Sequence, residues 1–413
     1  MANAPKNQKI LQIPFTIWIL GGMSLLLNAS SIMIFSLSPL YLTQVFGLAA
    51  FYLGILEGGV EFCSWTMRVF AGALSDYLNK RKPVMVFACA LTVLARPIFA
   101  IASSAAWVYV AKLLDRIANG FQAPPREALV GDAAPPHLKG ACYGLRLSLG
   151  VIGSLLGAVA LMYLMKSTNN NYKFIFWIAS IPPLLALSAL FFLVKDSPIT
   201  IGEEASKEKK KEGYFKVFYQ KASQLTNDYW SIICITGIFM ISNYSGAYRI
   251  LQAQSTGFPI GDVALIMIAQ NLGNMIAAFP VGRLSDKIDR RILLIFGFCM
   301  TILANLCFSL FTGTFSIILG SALWGVQMGI TQSILSAMVA DNTKKDLRGT
   351  AFGIYYFVIA FSLFGANTLM GVLSGKYGHS TGFMASAAVA AIGIALVFLI
   401  RRSEERRVGK ECL

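Results

Sequence analysis

The stretch GALSDYLNKRK at 72–82 returns, little altered, as GRLSDKIDRR at 282–291, and this recurrence sets the architecture. From Gly72 to Gly282 the offset is 210 residues. A second pair follows at almost the same spacing: Asp132 with KGACYG (139–144) matches Asp341 with RGTAFG (348–353), 209 residues on. Each copy sits in a short polar connection between apolar runs. Two matches at nearly one offset mark a duplicated chain, its halves being parallel repeats related by an axis along the membrane normal.

Outward from these blocks, apolar runs of membrane-spanning length recur along the sequence. They lie near 14–42, 49–71, 84–103, 106–130, 141–165 and 174–194, and again near 230–250, 261–281, 292–312, 315–340, 350–372 and 382–400. Several are longer than a bilayer core requires, which implies tilt or a soluble end-turn. Of 413 residues 56% are hydrophobic and 13% charged, against ~25% charged in a soluble domain. A surface that faces acyl chains has to be apolar, and this explains the shift. The fold class is therefore an all-α membrane protein, with twelve transmembrane helices in two six-helix pseudo-repeats.

The net charge of +15 does not point to nucleic acid, because Lys and Arg are spread over short segments between apolar runs instead of one soluble face. One side holds Lys80, Arg81, Lys82, Lys139, Arg283, Lys287, Arg290, Arg291, Lys344, Lys345 and Arg348, with the N-terminal tail and the segment 195–228. The opposite connections hold only Lys166, Lys173, Arg249 and Lys376. That asymmetry places both termini in the cytoplasm, with the chain crossing the inner (plasma) membrane many times. Lys6 and Lys9 precede an apolar run, as in a signal peptide. The run continues from Ile13 to Leu42 without a small-x-small cleavage site, so a first membrane helix is expected.

Residues 1–194 form a first bundle in this reading and 229–401 a second. Between them, 195–228 contains KEKKKEG (207–213), too poor in apolar residues to bury a core, and reads as a cytoplasmic linker. The terminal RSEERRVGKEC (402–412) resembles the translation of a sequencing adaptor, so 402–413 is expected to be an artefact tail. The seven cysteines are scattered, without the spacing of a zinc site or disulfide framework. His137 and His379 fall in connections. No metal or cofactor is implied, and an intramembrane enzyme would need a nucleophile or metal constellation that these positions do not offer.

The block at 72–82 resembles the signature loop of the major facilitator superfamily, and 282–291 matches that pattern more closely. The first copy departs from it at Tyr77 and Asn79. The resemblance covers both halves and implies a secondary transporter working by alternating access, with its site near the bilayer midplane. It assigns gating to Gly72, Asp76 and Arg81 and to Gly282, Asp286 and Arg290. Asp76 would face the helix start near Gly349, and Asp286 that near Gly140, each carboxylate at the positive end of a helix. DRIANGFQAPPREALVGD (115–132) is similar to a stretch found in some bacterial members. The glycine-proline signature of drug–proton antiporters is absent from span five, where Ser154 follows Gly153; Gly150, Gly153 and Gly157 share one face there and suit close helix packing. From the spans that line the cavity in this family come the solute-binding candidates Asn28, Asn243, Tyr244, Asn271 and Gln327.

Charges within the spans carry the chemistry. An ionised group at mid-bilayer costs at least ~2.5–3.5 kcal/mol, so each needs a reason. Span two has Glu57 and Glu61 one turn apart, span three Arg96, and span four Asp115 and Arg116. Counted from the helix ends, Glu57, Arg96 and Asp115 lie at similar depth, with Glu61 about 6 Å deeper. Three acids against two bases leave one carboxyl without a cation, and such a buried group tends to hold a proton. Glu57, Glu61 and Asp115 are thus the proton-coupling candidates and Arg116 the site of a solute anion, the alternative being a static ion-pair network. The second half offers no comparable set. Paired arginines favour an anionic or zwitterionic solute, such as an organic acid or a siderophore; the other option is a proton-driven exporter of multiple drugs or amphipathic compounds. The expected partners are a small solute, a proton and the bilayer, with the chain acting as a monomer.

Overall fold

A computed structural model describes residues 13–78, 80–135, 138–194, 222–284, 288–344 and 347–411; the side chains of 72, 73, 75–78, 279, 282, 283, 333 and those from 399 onward lie outside it. Among the described residues there are helices and no strands. In chain order they are α1 (Phe15–Leu40), α2 (Ala50–Leu78), α3 (Lys82–Ile101), α4 (Ala105–Ala133), α5 (Lys139–Ser167), α6 (Tyr172–Ala179), α7 (Ile181–Leu193), α8 (Asn227–Ile241), α9 (Gly246–Ser255), α10 (Ala264–Leu284), α11 (Arg290–Leu310), α12 (Thr314–Asp341), α13 (Arg348–Tyr377) and α14 (His379–Glu411). They supply the twelve expected spans, because spans six and seven are each broken in two. Ser180 with Pro182 and Pro183 interrupts span six, and Ser242–Ser245 interrupts span seven.

Ten spans among the described residues are long and apolar enough to cross a bilayer by composition alone. The two long helices outside that set are α2 and α4, 29 residues each, which carry Glu57 and Glu61, and Lys112, Asp115 and Arg116. Elsewhere large apolar side chains stand exposed, among them Leu156, Val159 and Tyr163 on α5 and Phe191 and Phe192 on α7. Such a surface is compatible with lipid and not with water.

By packing, the described chain divides into two compact units. The first takes 13–47, 63–194 and 260–264; the second takes 48–62, 222–259 and 265–411. Helix α2 contributes its first part to the second unit and the rest to the first.

Within each unit, glycines bring helices into contact. In the first, a Cβ at Gly153 or Gly157 would overlap the α1 backbone at Leu25 or Ala29, and Asn28 Nδ2 donates to the Gly150 carbonyl at 3.0 Å. A Cβ at Gly120 on α4 would stand 2.5 Å from the Ser64 carbonyl of α2. The second unit repeats this contact at the same offset: Gly329 on α12 meets the Asn274 carbonyl of α10, with 2.7 Å to a would-be Cβ. Small residues let backbones approach where lipid supplies no hydrophobic drive between helices.

The repeat extends to charge. Arg81 at the start of α3 pairs with Asp132 at the end of α4, 2.9 Å apart. Arg290 at the start of α11 pairs with Asp341 at the end of α12. Both partners are displaced by 209 residues, since 290 follows 81 and 341 follows 132 by that number.

Candidate functional site

In the first unit the polar centre is built on one stripe of α1. Ser31, Phe35 and Ser38 recur at spacings of four and three residues and so share a helix face. Three cations from α3 and α4 meet that stripe. Arg96 Nη2 donates to Ser31 Oγ at 2.9 Å, the Arg116 guanidinium lies 3.8 Å from the Phe35 ring centroid, and Lys112 Nζ donates to Ser38 Oγ at 3.2 Å. Arg96 is also paired with Asp115 at 2.9 Å, both side chains being almost fully buried. The structure thus brings together Arg96 and Asp115, which the sequence placed at similar depth. It adds Lys112, buried on α4 one turn before Asp115 and left out of the sequence count of bases.

Nearer the basic loops the same unit holds a second cluster. Arg146 Nη2 contacts Glu127 at 2.8 Å, Arg126 lies 3.7 Å from the same carboxylate, and Tyr143 donates to the Glu127 carbonyl at 3.0 Å. Arg68 stacks on Trp65, 3.9 Å from its centroid.

The second unit centres on the break in span seven. Four polar or aromatic residues, SNYS (242–245), end α8 and begin α9. Ser245 caps α9, its Oγ accepting from the Ala247 N–H at 3.2 Å. The same hydroxyl donates to the Glu57 carboxylate at 2.9 Å, and the Ser245 N–H donates to Asn367 Oδ1 at 2.7 Å. Glu57 reaches this point because Gly54 and Gly58 on α2 lie against the backbone of α13 at Asn367 and Phe364. A carboxylate beside a helix N-terminus is favourably placed.

Tyr244, the candidate on the other side of the break, donates to Asn305 Oδ1 at 2.7 Å. Asn305 Nδ2 donates to Ser386 Oγ at 3.0 Å, and Ser386 in turn donates to the Ser242 carbonyl at 2.5 Å. Gln327 Nε2 faces Asn243 Oδ1 at 3.4 Å and Thr331 Oγ1 at 3.3 Å, so those two candidates meet. Asn271 donates to the Met267 carbonyl within its own helix at 2.9 Å, and Asn28 lies in the α1–α5 contact.

One sequence expectation is corrected here. Arg249, counted above among loop cations, lies inside α9 with 3% exposure. The apolar run ends near 250, but the helix that starts at Gly246 continues to Ser255 and keeps Arg249 buried within it. The second half of the sequence therefore carries a buried cation within a span. Of the gating set, Arg81 and Arg290 form the ion pairs given above. Gly72 and Gly282 lie in helices, while the side chain of Asp76 and the whole of Asp286 fall outside the described residues, as does the linker up to 221. A cavity of about 200 Å³ in the second unit is lined by Asp228, Arg290, Arg291 and Asp341, at the end of the loop block and away from the buried polar centre.

Comparison with known proteins gives a family match. The family described as the Major Facilitator Superfamily matches residues 19–252 and 230–411. The uncharacterized MFS-type transporter MJ1317 of Methanocaldococcus jannaschii is 26% identical over 400 residues, 95% of this chain and 97% of its own. The 3-(3-hydroxy-phenyl)propionate transporter of Escherichia coli is 24% identical, over 91% of this chain and 88% of its own. The multidrug resistance protein MdtH of Photorhabdus laumondii is 24% identical, over 64% of this chain and 63% of its own.

Proposed function

The chain belongs to the major facilitator superfamily and is a multi-pass membrane transporter, and from that premise we propose that it carries an organic anion or zwitterion by proton-coupled alternating access. The observation that supports this most is the cationic centre of the first unit. Arg96 and Lys112 are buried with Asp115, and Arg116 stacks on Phe35 beside them. Positive charge held within a membrane span at this cost suits the recognition of a negative solute. The likeness to a transporter named for a phenylpropionate, itself a carboxylic acid, points the same way. The likeness to MdtH favours the second reading, export of amphipathic compounds.

The proton-coupling candidates remain Glu57, Glu61 and Asp115. Glu57 is the best placed of them, being buried and bonded to a hydroxyl. A serine hydroxyl can donate to a carboxylate and can accept from a carboxylic acid, so the contact survives a change of protonation. Basic loops put both termini in the cytoplasm and the chain in the inner membrane in this proposal.

Proteoliposomes with an imposed pH gradient test it. Labelled organic acids should accumulate in response to the gradient, and at least one of Glu57→Gln, Glu61→Gln and Asp115→Asn should abolish that response while exchange of solute persists. Gradient-driven flux that is normal in all three variants would remove proton coupling through these groups. Flux of cationic dyes, with none of acids, would select the exporter.

A further inference from the structure

We propose that Arg249 in the second unit is a carboxylate-binding residue, the anchor of a subsite for an organic monoanion. The proposal rests on the transporter reading and adds to it a residue and a ligand chemistry.

Arg249 is buried, yet it makes no hydrogen bond or ion pair with any described residue; its Nε and Nη1 are enclosed without an acceptor. Its surroundings are neutral. The guanidinium lies 4.9 Å from the Trp324 ring centroid, with Tyr244 packed on the same ring at 4.7 Å. The space for it is made by Gly246, where a Cβ would stand 3.0 Å from Arg249 Nη2 and 3.2 Å from Met267. Helix α9 itself carries no acid, and Glu57 of α2 is bonded to Ser245, four residues before Arg249, and forms no ion pair with it.

An arginine stays charged in any protein environment and carries five in-plane N–H donors. The ring of Trp324 can attract the cation through its face but can accept none of those donors in plane. A buried cation whose donors go unmet is unfavourable unless an acceptor arrives, so this site is built for an occupant. A planar oxyanion matches the guanidinium fork. Among oxyanions, a single cation walled by Trp324, Tyr244 and Met267 suits a monovalent carboxylate with an apolar body better than a divalent, strongly hydrated phosphate.

The test uses full-length protein in lipid nanodiscs, titrated with acetate, hexanoate and benzoate, with hexanamide and benzamide as uncharged counterparts, and with inorganic phosphate. At least one carboxylate is expected to raise the unfolding temperature while its amide does not. Arg249→Gln should weaken that carboxylate about tenfold or more, with Arg249→Lys in between. Ligand-free Arg249→Gln should unfold no earlier than wild type, because the side chain it replaces has no hydrogen-bond or ion-pair partner to lose and the ring contact with Trp324 is offset by removal of a buried charge. Unchanged carboxylate affinity in Arg249→Gln, equal responses to acid and amide, a response to phosphate alone, or silence across the panel would each overturn the inference. Flux measurements separate it from the broader reading. Solute flux that is indifferent to Arg249 keeps the transporter and loses this subsite; a carboxylate bound through Arg249 but never moved keeps the subsite and loses anion transport.

Discussion

The two units share a scaffold and differ in what it carries. The ion pairs Arg81–Asp132 and Arg290–Asp341 correspond at an offset of 209, and so do the glycine contacts at 120 and 329. At the centre the same offset exchanges chemistry. Arg96, Lys112, Asp115 and Arg116 of the first unit fall on Asn305, Ser321, Trp324 and Gly325 of the second. An ionic layer in one repeat is thus a neutral layer of amide, hydroxyl and indole in the other. Where Arg96 pairs with Asp115, Asn305 bonds Tyr244. Where Arg116 projects from α4, Gly325 lets α12 lie against the α10 backbone at Gln270. The second unit places its buried cation on another helix, as Arg249 in the broken span seven. Duplication preserves backbone contacts, which the fold needs twice, while the side chains at the centre differ between the repeats.

The sharpest way to break this comparison is to remove one charge of the first-unit pair. Asp115→Leu should destabilise the protein by about 3–5 kcal/mol, since Arg96 is then buried without its counter-ion. The double variant Arg96→Leu/Asp115→Leu should recover most of that loss in thermal unfolding, as the second unit manages without ions at these positions, yet should transport no anion. A smaller effect is expected in the second unit. Asn305→Leu strands the Tyr244 hydroxyl and the Ser386 bridge, and should cost about 1–3 kcal/mol by denaturation in detergent, toward the upper end of that range.

Gly120→Ala and Gly329→Ala test the shared scaffold. Each inserts a methyl against a carbonyl of the facing helix, and each should cost about 1–2 kcal/mol, with similar values for the two. Unequal losses would show that one contact is not the counterpart of the other. Smallest of all are Arg81→Gln and Arg290→Gln. These pairs are partly exposed, with Asp132 at 39% and Asp341 at 59%. Neither substitution should shift stability by more than about 1 kcal/mol at ordinary salt, while flux rates report any role in gating.

The spans and their number were legible from apolar runs, because a bilayer demands the same length of apolar helix each time. The charged helices α2 and α4 were legible for the opposite reason, as runs whose polar residues need an explanation. Lys112 was overlooked beside Asp115 and Arg116, although its position one turn earlier puts it on their side of the helix. Asn305 was overlooked as a lone amide in an apolar run; the repeat offset applied to Arg96 would have found it. Arg249 was misplaced because the apolar run ends at about 250, whereas the helix that carries it continues to Ser255. The candidates Asn243 and Gln327 were recognisable as mid-span amides, but their meeting depends on the way α8 lies against α12.

By itself the sequence determined a duplicated, helical, membrane-embedded chain, because hydropathy, basic loops and repeat spacing act locally and survive without knowledge of contacts. Only the tertiary structure decided which charges have partners. Pairing depends on helix rotation and on glycine-sized gaps between backbones, and a small rotation moves a side chain from a neighbour to lipid. That is why Asp115 is found with Arg96, Glu57 with Ser245, and Arg249 against Trp324 with its donors unmet.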